Sequence, residues 1–306
     1  MVLKSTQSRA VLPYMFQRMV DTPKEWVAWL SGDVVASDQP EEIYAGLSSV
    51  GRMKEMTGAR TSEDLEDFEL KIRNRTYRNA LRVTKEELLY DRVSQVQRRI
   101  DDLARTYNEH WEDLLVELLR NGAAAASKAY DGAPFFSSTH PGASGNQSNL
   151  TTRDVVTPTD PTKEEFHDAI FEGIETLHTL ENDQGDPYRQ SSDEYVVIVP
   201  PSLFKAAVGA LNAQLLAQGE SNVLMVSGVN FRLHQEQQLK AWTDRFVIAT
   251  RTGRSLIRQQ VDGPRILSKT DQSDFHIDTG MHEHTVEATR AAGYGSWQEA
   301  TLVTLT

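Results

Sequence analysis

Residues 84–122 read TKEELLYDRVSQVQRRIDDLARTYNEHWEDLLVELLRNG. Apolar side chains stand at Leu89, Val93, Val96, Ile100, Leu103, Tyr107, Trp111, Leu114 and Leu118, in steps of three or four. That spacing is one face of an α-helix. Thr84, with Glu87 three residues later, predicts a capping-box start. Asn121-Gly122 predicts a left-handed stop. A helix of about 36 residues would run roughly 54 Å, against a usual length of about 11–12 residues. A break is expected near Tyr90-Asp91, where the two faces lose register. The other face carries Asp91, Arg92, Gln95, Arg98, Arg99, Asp101, Asp102, Arg105, Asn108 and Glu109 and reads as solvated. An element this long needs an extended partner, either its own sheet or neighbouring copies.

The rest of the 306 residues narrows the function by exclusion. A formal charge of −12 argues against a sequence-specific nucleic-acid binder, which shows a basic patch. The chain has no cysteine, which rules out disulfides and thiol catalysis. No apolar run reaches the roughly 20 residues that span a membrane. The start, Met1-Val2-Leu3-Lys4-Ser5-Thr6, lacks the apolar core of a signal peptide, so the expected setting is a reducing cytoplasm with no membrane partner. GxSxG, P-loop and dinucleotide fingerprints are absent, and no cofactor is expected. His276, His282 and His284 form the one histidine cluster. His282 and His284 would share a strand face that could bind Zn²⁺, but they lack zincin spacing and a third ligand is not identifiable. His140, before Pro141, reads as a turn residue. No catalytic or metal residue is assigned, and the chain reads as a non-enzyme.

Residues 1–40 read as an arm whose Trp26 and Trp29 cannot be buried on the segment itself. Such an arm must dock on its own globule or on another copy. Residues 41–83 are highly charged. Glu63, Asp64, Glu66, Asp67 and Glu69 are followed by Lys71, Arg73, Arg75, Arg78 and Arg82. Alternation at Phe68, Leu70 and Ile72, and again at Leu81 and Val83, predicts the two strands of a ribbon reversing near Asn74 to Asn79. Ala123 to Lys128 reads as helical and Gly142 to Asn149 as a loop. Thr162 to Thr179 reads as an amphipathic helix with Phe166, Ala169, Ile170, Gly173, Ile174 and Leu177 inward. Tyr195 to Val199 reads as a central strand, followed by a helix from Pro201. Strands are expected at Val223–Val226, Asn230–His234 and Phe246–Thr250. Residues 161–250 thus predict a compact α/β lobe, inserted rather than separate. From Ser255 onward the pattern is β, including Phe275 to Asp278. The final strands are expected to pair with the ribbon or to lie beside the long helix.

Several of these stretches resemble one family. Tyr130-Asp131-Gly132-Ala133-Pro134-Phe135-Phe136-Ser137-Ser138-Thr139-His140-Pro141, placed just after a long helix, is similar to the same region of Mu-like phage major head subunits. So are Arg60-Thr61, Arg82-Val83-Thr84-Lys85-Glu86-Glu87 and Tyr294-Gly295. The resemblance runs from about Trp26 onward. It implies an α+β chain of the Hong Kong 97-type capsid fold. The N-terminal arm would be 1–40, the E-loop 41–83, and the peripheral domain with its spine helix 84–160. The axial domain would be 161–250, and 251–306 would return to the peripheral domain. The implied function is self-assembly into pentamers and hexamers of an icosahedral shell around phage double-stranded DNA, in a virion assembled in the host cytoplasm. Implied partners are a scaffolding protein, a portal protein, a possible decoration protein and DNA held non-specifically. The scaffold is expected to be separate because no long N-terminal scaffold segment is seen. E-loop contacts with neighbours are expected at Glu63, Asp64, Glu66, Arg73, Arg75 and Arg78. The competing readings are an encapsulin-like nanocompartment, a metal-dependent hydrolase using His140 or the C-terminal histidines, and a ring-forming tail component.

Overall fold

A computed structural model describes residues 13–19, 23–45, 69–84, 86–87, 93–182, 185–188, 194–212, 222, 224, 229–270 and 273–306. After a helical turn at residues 13–18 come α1 (Glu25–Ser31), β1 (Val35–Ala36), β2 (Glu41–Ala45), β3 (Glu69–Arg73) and β4 (Arg75–Thr84). The long helix is α2 (Val93–Asn121). The lobe follows as β5 (Leu150–Arg153), α3 (Lys163–Thr179), β6 (Glu194–Val199), α4 (Phe204–Asn212), β7 (Asn230–Gln235) and β8 (Arg245–Thr250). The chain then runs through β9 (Leu256–Lys269), α5 (Asp274–Thr279), β10 (Met281–Tyr294) and β11 (Ala300–Leu305).

Helix α2 joins two cores. Its first half buries Val96, Ile100, Leu103 and Tyr107 against Val83, Val286 and Ala288, with Met15 and Met19 closing the cluster. Its second half buries Trp111, Leu115, Val116 and Leu119 in the main core, while Leu114 and Leu118 are half-buried. The stripe therefore rotates along the helix. A helix of 3.6 residues per turn drifts against any fixed integer repeat, so one straight stripe cannot serve two cores. Gln95, Arg98, Arg99, Asp102 and Arg105 are exposed, but Asp101, Asn108 and Glu109 are half-buried, Asp101 accepting from Tyr14 Oη and Asn108 donating to the Arg18 carbonyl, while Asp91 and Arg92 lie outside the described residues.

The two ends of the helix differ from expectation. Thr84 and Glu87 do form reciprocal bonds, Glu87 N donating to Thr84 Oγ1 and Thr84 N to Glu87 Oε2. Thr84 is nonetheless the last residue of β4, and the expected break at Tyr90-Asp91 lies outside the described residues. Gly122 is not among the glycines with positive φ. A Cβ there would stand 2.6 Å from Phe136 Cδ2, so this glycine serves close packing rather than a left-handed cap. Residues 123–127 are turns, not helix.

The ribbon also pairs differently. β3 pairs with β2, antiparallel, with Glu41 opposite Arg73. β4 instead pairs with β10 along ten residues, Thr84 opposite Met281 through Arg75 opposite Arg290. The four-stranded sheet runs β1-β9-β10-β4. Alternation marks a half-buried strand but carries no information about which strand lies beside it. The return of the C-terminal strands to this region is as expected. Phe275 to Asp278, expected as strand, lie in α5, which Ser273 caps and Gly280 ends in the left-handed region.

The lobe sheet has five strands in the order β5-β11-β8-β6-β7. Helix α3 opens on a complete Thr162/Glu165 capping box and buries Phe166, Ala169, Ile170, Gly173 and Leu177. Gly173 lets the helix settle directly onto Ile248 and Val303, whose side chains would meet a Cβ at 2.6 and 2.9 Å. The last strand, placed by sequence in the return to the first sheet, lies inside this one. β11 is buried on both faces, and the slot between β5 and β8 gives that two-sided cover. Of Val223–Val226 the structure describes Leu224, which is helical rather than extended. The arm docks on its own globule, with Trp26, Val27 and Leu30 in the main core.

Candidate functional site

The charged residues singled out around the ribbon fall in three places. Glu63, Asp64 and Glu66 lie outside the described residues. Arg73 ends β3 and Arg75 opens β4, both exposed. Arg78 has a partner in its own chain, its Nε and Nη2 donating to Glu287 Oε2 at 3.1 and 2.7 Å.

That pair belongs to a larger arrangement. Strand register sets Arg82, Glu283 and Lys269 in one row across β4, β10 and β9. Ala80, Thr285 and Leu267 form the next row, and Arg78, Glu287 and Arg265 the third. Alternate residues project from one face, so these rows share the outer side of the sheet. Glu283 accepts from Lys269 Nζ at 2.9 Å and Arg82 Nε at 2.8 Å. These bonds, Lys269's first, hold its carboxyl below the ordinary range. The Phe275 ring of α5 sits under both cations, 5.2 Å from Lys269 Nζ and 5.5 Å from Arg82 Cζ. The inner side packs on α2, where Tyr77 meets the His110 ring edge-on at 4.2 Å. The basic run was legible in the sequence. Its carboxylates were not, because Glu283 lies 201 residues from Arg82.

The ribbon is fastened at its root. Tyr44 Oη donates to Gln259 Oε1 at 2.8 Å, and Gln259 Nε2 donates to the Ile72 carbonyl at 3.0 Å. Gly293 admits Ile72, which would lie 2.3 Å from a Cβ there. A cleft of about 620 Å³ separates β3 from the end of α2 and residues 126–132, with Arg73, Arg75, Tyr77 and Tyr130 in its walls.

The remaining motif residues are structural in their contacts. His140, expected as a turn residue, is fully buried, stacks on Trp297 at 3.8 Å and places Nδ1 2.6 Å from Asp131 Oδ2. Phe135 and Phe136 are core. His282 and His284 are buried on β10, with His284 Nδ1 2.8 Å from Ser268 Oγ. Among the described residues no group of three His, Cys, Asp or Glu is placed to hold a metal.

Burial holds His284 down to about 4, helped by the charge of His282. Burial, then Arg290, holds His110 down to about 4 as well, against Asp113. The ordinary value is 6.5. Above that pH neither group affects stability. As pH falls from 6.5 toward 4, the unfolded chain takes up protons that the folded chain refuses. Each histidine then removes stability at a slope approaching about 1.4 kcal/mol per pH unit. Urea midpoints at pH 7, 6 and 5 are expected to fall, and less steeply in His284→Gln. An unchanged slope in that variant would contradict the assignment.

The sequence model of the Mu-like prophage major head subunit gpT matches residues 11–167. The chain belongs to that family. A relative within reach of sequence comparison is the major capsid protein of Escherichia phage Mu, 25% identical over 129 residues. The alignment covers 40% of this chain and 42% of the Mu protein, less than half of that relative's length. Among solved structures, the procapsid of bacteriophage JBD30 has a TM-score of 0.54 at 16% identity, over 99% of this chain and 75% of that chain. The capsid of Cyanophage P-SCSP1u has a TM-score of 0.55 at 12% identity, over 91% and 86%. The virus-like particle from Pyrococcus furiosus has a TM-score of 0.51 at 10% identity, over 98% of each chain. The chain therefore has the Hong Kong 97-type capsid fold that the resemblance implies.

Proposed function

We propose that the chain is the building block of a phage head, closing into rings of five and six that form an icosahedral shell around double-stranded DNA. The observation that carries this is the capsid fold across nearly the whole chain, in a member of a head-subunit family. The fold gives assembly the parts it needs. A ribbon anchored at its root can lie over a neighbour. Each contact can be weak, because a closed shell repeats it many times. On this reading Glu63, Asp64, Glu66, Arg73 and Arg75 face other copies, while Arg78 divides its charge between Glu287 and the seam. A scaffolding protein guides closure, a portal and decoration proteins are further partners, and DNA is enclosed without being gripped. Assembly takes place in the host cytoplasm, and the work is structural rather than catalytic.

Electron microscopy of the purified protein, with and without its scaffolding partner, is expected to show closed shells or rings of five and six. Glu63→Lys, Asp64→Lys and Glu66→Lys together are expected to lower shell yield roughly tenfold or more, since a repeated contact is lost throughout. Persistent monomers or dimers of the unaltered chain in both conditions would sink the reading. The fold is shared with a virus-like particle from Pyrococcus furiosus, so the contents of the shell are the point to test. Nuclease-protected DNA inside particles formed during infection decides for the head.

A further inference from the structure

Between ribbon and sheet the chain turns on a single residue. β3 ends at Arg73, paired with β2, and β4 begins at Arg75, paired with β10. The residue between them, Asn74, ties this bend to the strand that enters the ribbon. Its N–H donates to the Pro40 carbonyl at 2.9 Å, and its Nδ2 donates to Ser37 Oγ and the Gln39 carbonyl, each at 2.7 Å. Ser37 Oγ in turn donates to Glu42 Oε1 at 2.7 Å. Gln259 of β9 is fully buried, in register with Val35 of β1 and Ala291 of β10. Its amide makes three bonds, one to each part of the root. It accepts from Tyr44 Oη on β2 at 2.8 Å, and donates to the Ile72 carbonyl on β3 at 3.0 Å and to Asn74 Oδ1 at 2.9 Å.

A two-stranded ribbon is marginal in water on its own. This one is seated as well as paired. Leu70 and Ile72 are buried in the main core, and Tyr44 packs against it. Ile72 takes the space that a side chain at Gly293 would need, its Cδ1 standing 2.3 Å from a Cβ there. A buried amide bonded to three separate segments holds them at one mutual angle, because losing any of the three leaves a polar group unpaired away from water. We infer that this bracket fixes the direction of residues 41–45 and 69–73 in the free subunit, with Gln259 as its positioning residue. The consequence for assembly rests on the shell reading. On that reading the root of the ribbon reaches a neighbour already aimed, so its ordering is completed during folding and does not weaken each contact.

The chain has no cysteine, so introduced thiols take spin labels alone. Ile43→Cys on the ribbon and Arg265→Cys on β9 replace exposed residues. Their separation is measured in the free subunit, and in particles where the labelled chain is diluted with unlabelled chain. One narrow distance is expected in both, with the same mean. Gln259→Met keeps the volume and loses the three bonds. It is expected to broaden that distance in the free subunit and to slow particle formation. The distance between Asp160→Cys, exposed before α3, and Arg265→Cys is expected to stay as it was in that variant, which a general loosening would not allow. Asn74→Ala, at the half-buried bend, is expected to act in the same direction. A broad distance in the free subunit without these changes, or a mean that shifts on assembly, would overturn the inference. So would a distance that stays narrow in Gln259→Met, or in Asn74→Ala should Gln259→Met not fold. Failure of the unaltered chain to form particles would instead defeat the shell reading, and the free subunit would still decide for or against the bracket.

Discussion

Trp111→Ala is expected to cost about 3–5 kcal/mol from the lost ring alone, a large part of the roughly 5–15 kcal/mol that keeps a domain folded. Trp111 is fully buried at the point where α2 passes from one core to the other. Two buried arginines lie over its ring, with Arg290 Cζ 4.7 Å and Arg258 Cζ 5.4 Å from the centroid. Arg290 Cζ also lies 4.6 Å from the centroid of the Tyr107 ring, and both guanidinium groups donate to the backbone or a hydroxyl. Arg290 Nη2 donates to the Tyr107 carbonyl at 2.9 Å, Arg258 Nε to Ser31 Oγ at 2.7 Å, and Arg258 Nη2 to the Gly32 carbonyl. Removing the ring forfeits cation–π attraction of about 0.5–2 kcal/mol per desolvated cation. It also opens a cavity beside two charges that cannot reach water. Trp111→Phe keeps an aromatic face and is expected to lose about half as much. Urea unfolding of the two variants checks this. Equal losses would mean that a phenyl ring at this position recovers neither the packing nor the attraction for the arginines.

Gly295→Ala adds one methyl group and is expected to cost about 3 kcal/mol or more, at or above the upper end for overpacking. The new Cβ would stand 2.2 Å from the Arg254 carbonyl oxygen and 3.1 Å from that of Ser255. These are backbone atoms, fixed by Gly295 N donating to Ser255 O and Ser296 N to Arg254 O, each at 2.9 Å. No side-chain rotation relieves the clash, so one strand must move. Gly295 also stands where the chain leaves β10 and heads for β11, the joint between the two sheets. On the shell reading, a shift there changes the angle between lobe and spine, and with it the curvature a ring of copies can adopt. Gly263→Ala, whose Cβ would meet only Gln260 Nε2 at 3.8 Å, is expected to be near neutral. If G295A matches that control in thermal midpoint and shell yield, the joint is not rigid.

What could be read beforehand was local. The faces of α2 and α3 were legible because a helix sets its own neighbours three and four residues away. The capping box at Thr84 was legible for the same reason. Partners across the chain were not. Nothing near Arg78 or Arg82 announces Glu287 or Glu283, and nothing near Ile72 announces Gly293. The glycines mislead in a consistent way. Gly122, Gly293 and Gly295 are needed because another part of the molecule comes close, a requirement invisible to turn rules. Helix α5 was read as strand because four residues of alternating polarity fit either period. The acidic run was visible as charge from the outset, but charge alone does not name the surface that receives it.

The position of β11 bears on when this molecule becomes competent during its synthesis. Leu302 sits between Leu150 on one side and Val247 on the other. While a ribosome is still making residues 300–305, β5 and β8 expose the two edges of an empty slot. The lobe therefore closes only after its other strands have waited for a contact some 150 residues away, a topology that folds slowly. Waiting edges are sticky, so nascent subunits crowded on one message are at greatest risk of mispairing just before the last strand arrives. The same delay is protective. On the shell reading, a lobe that still lacks β11 cannot present the finished surfaces from which a ring is made, so premature closure is discouraged by the order of the strands themselves.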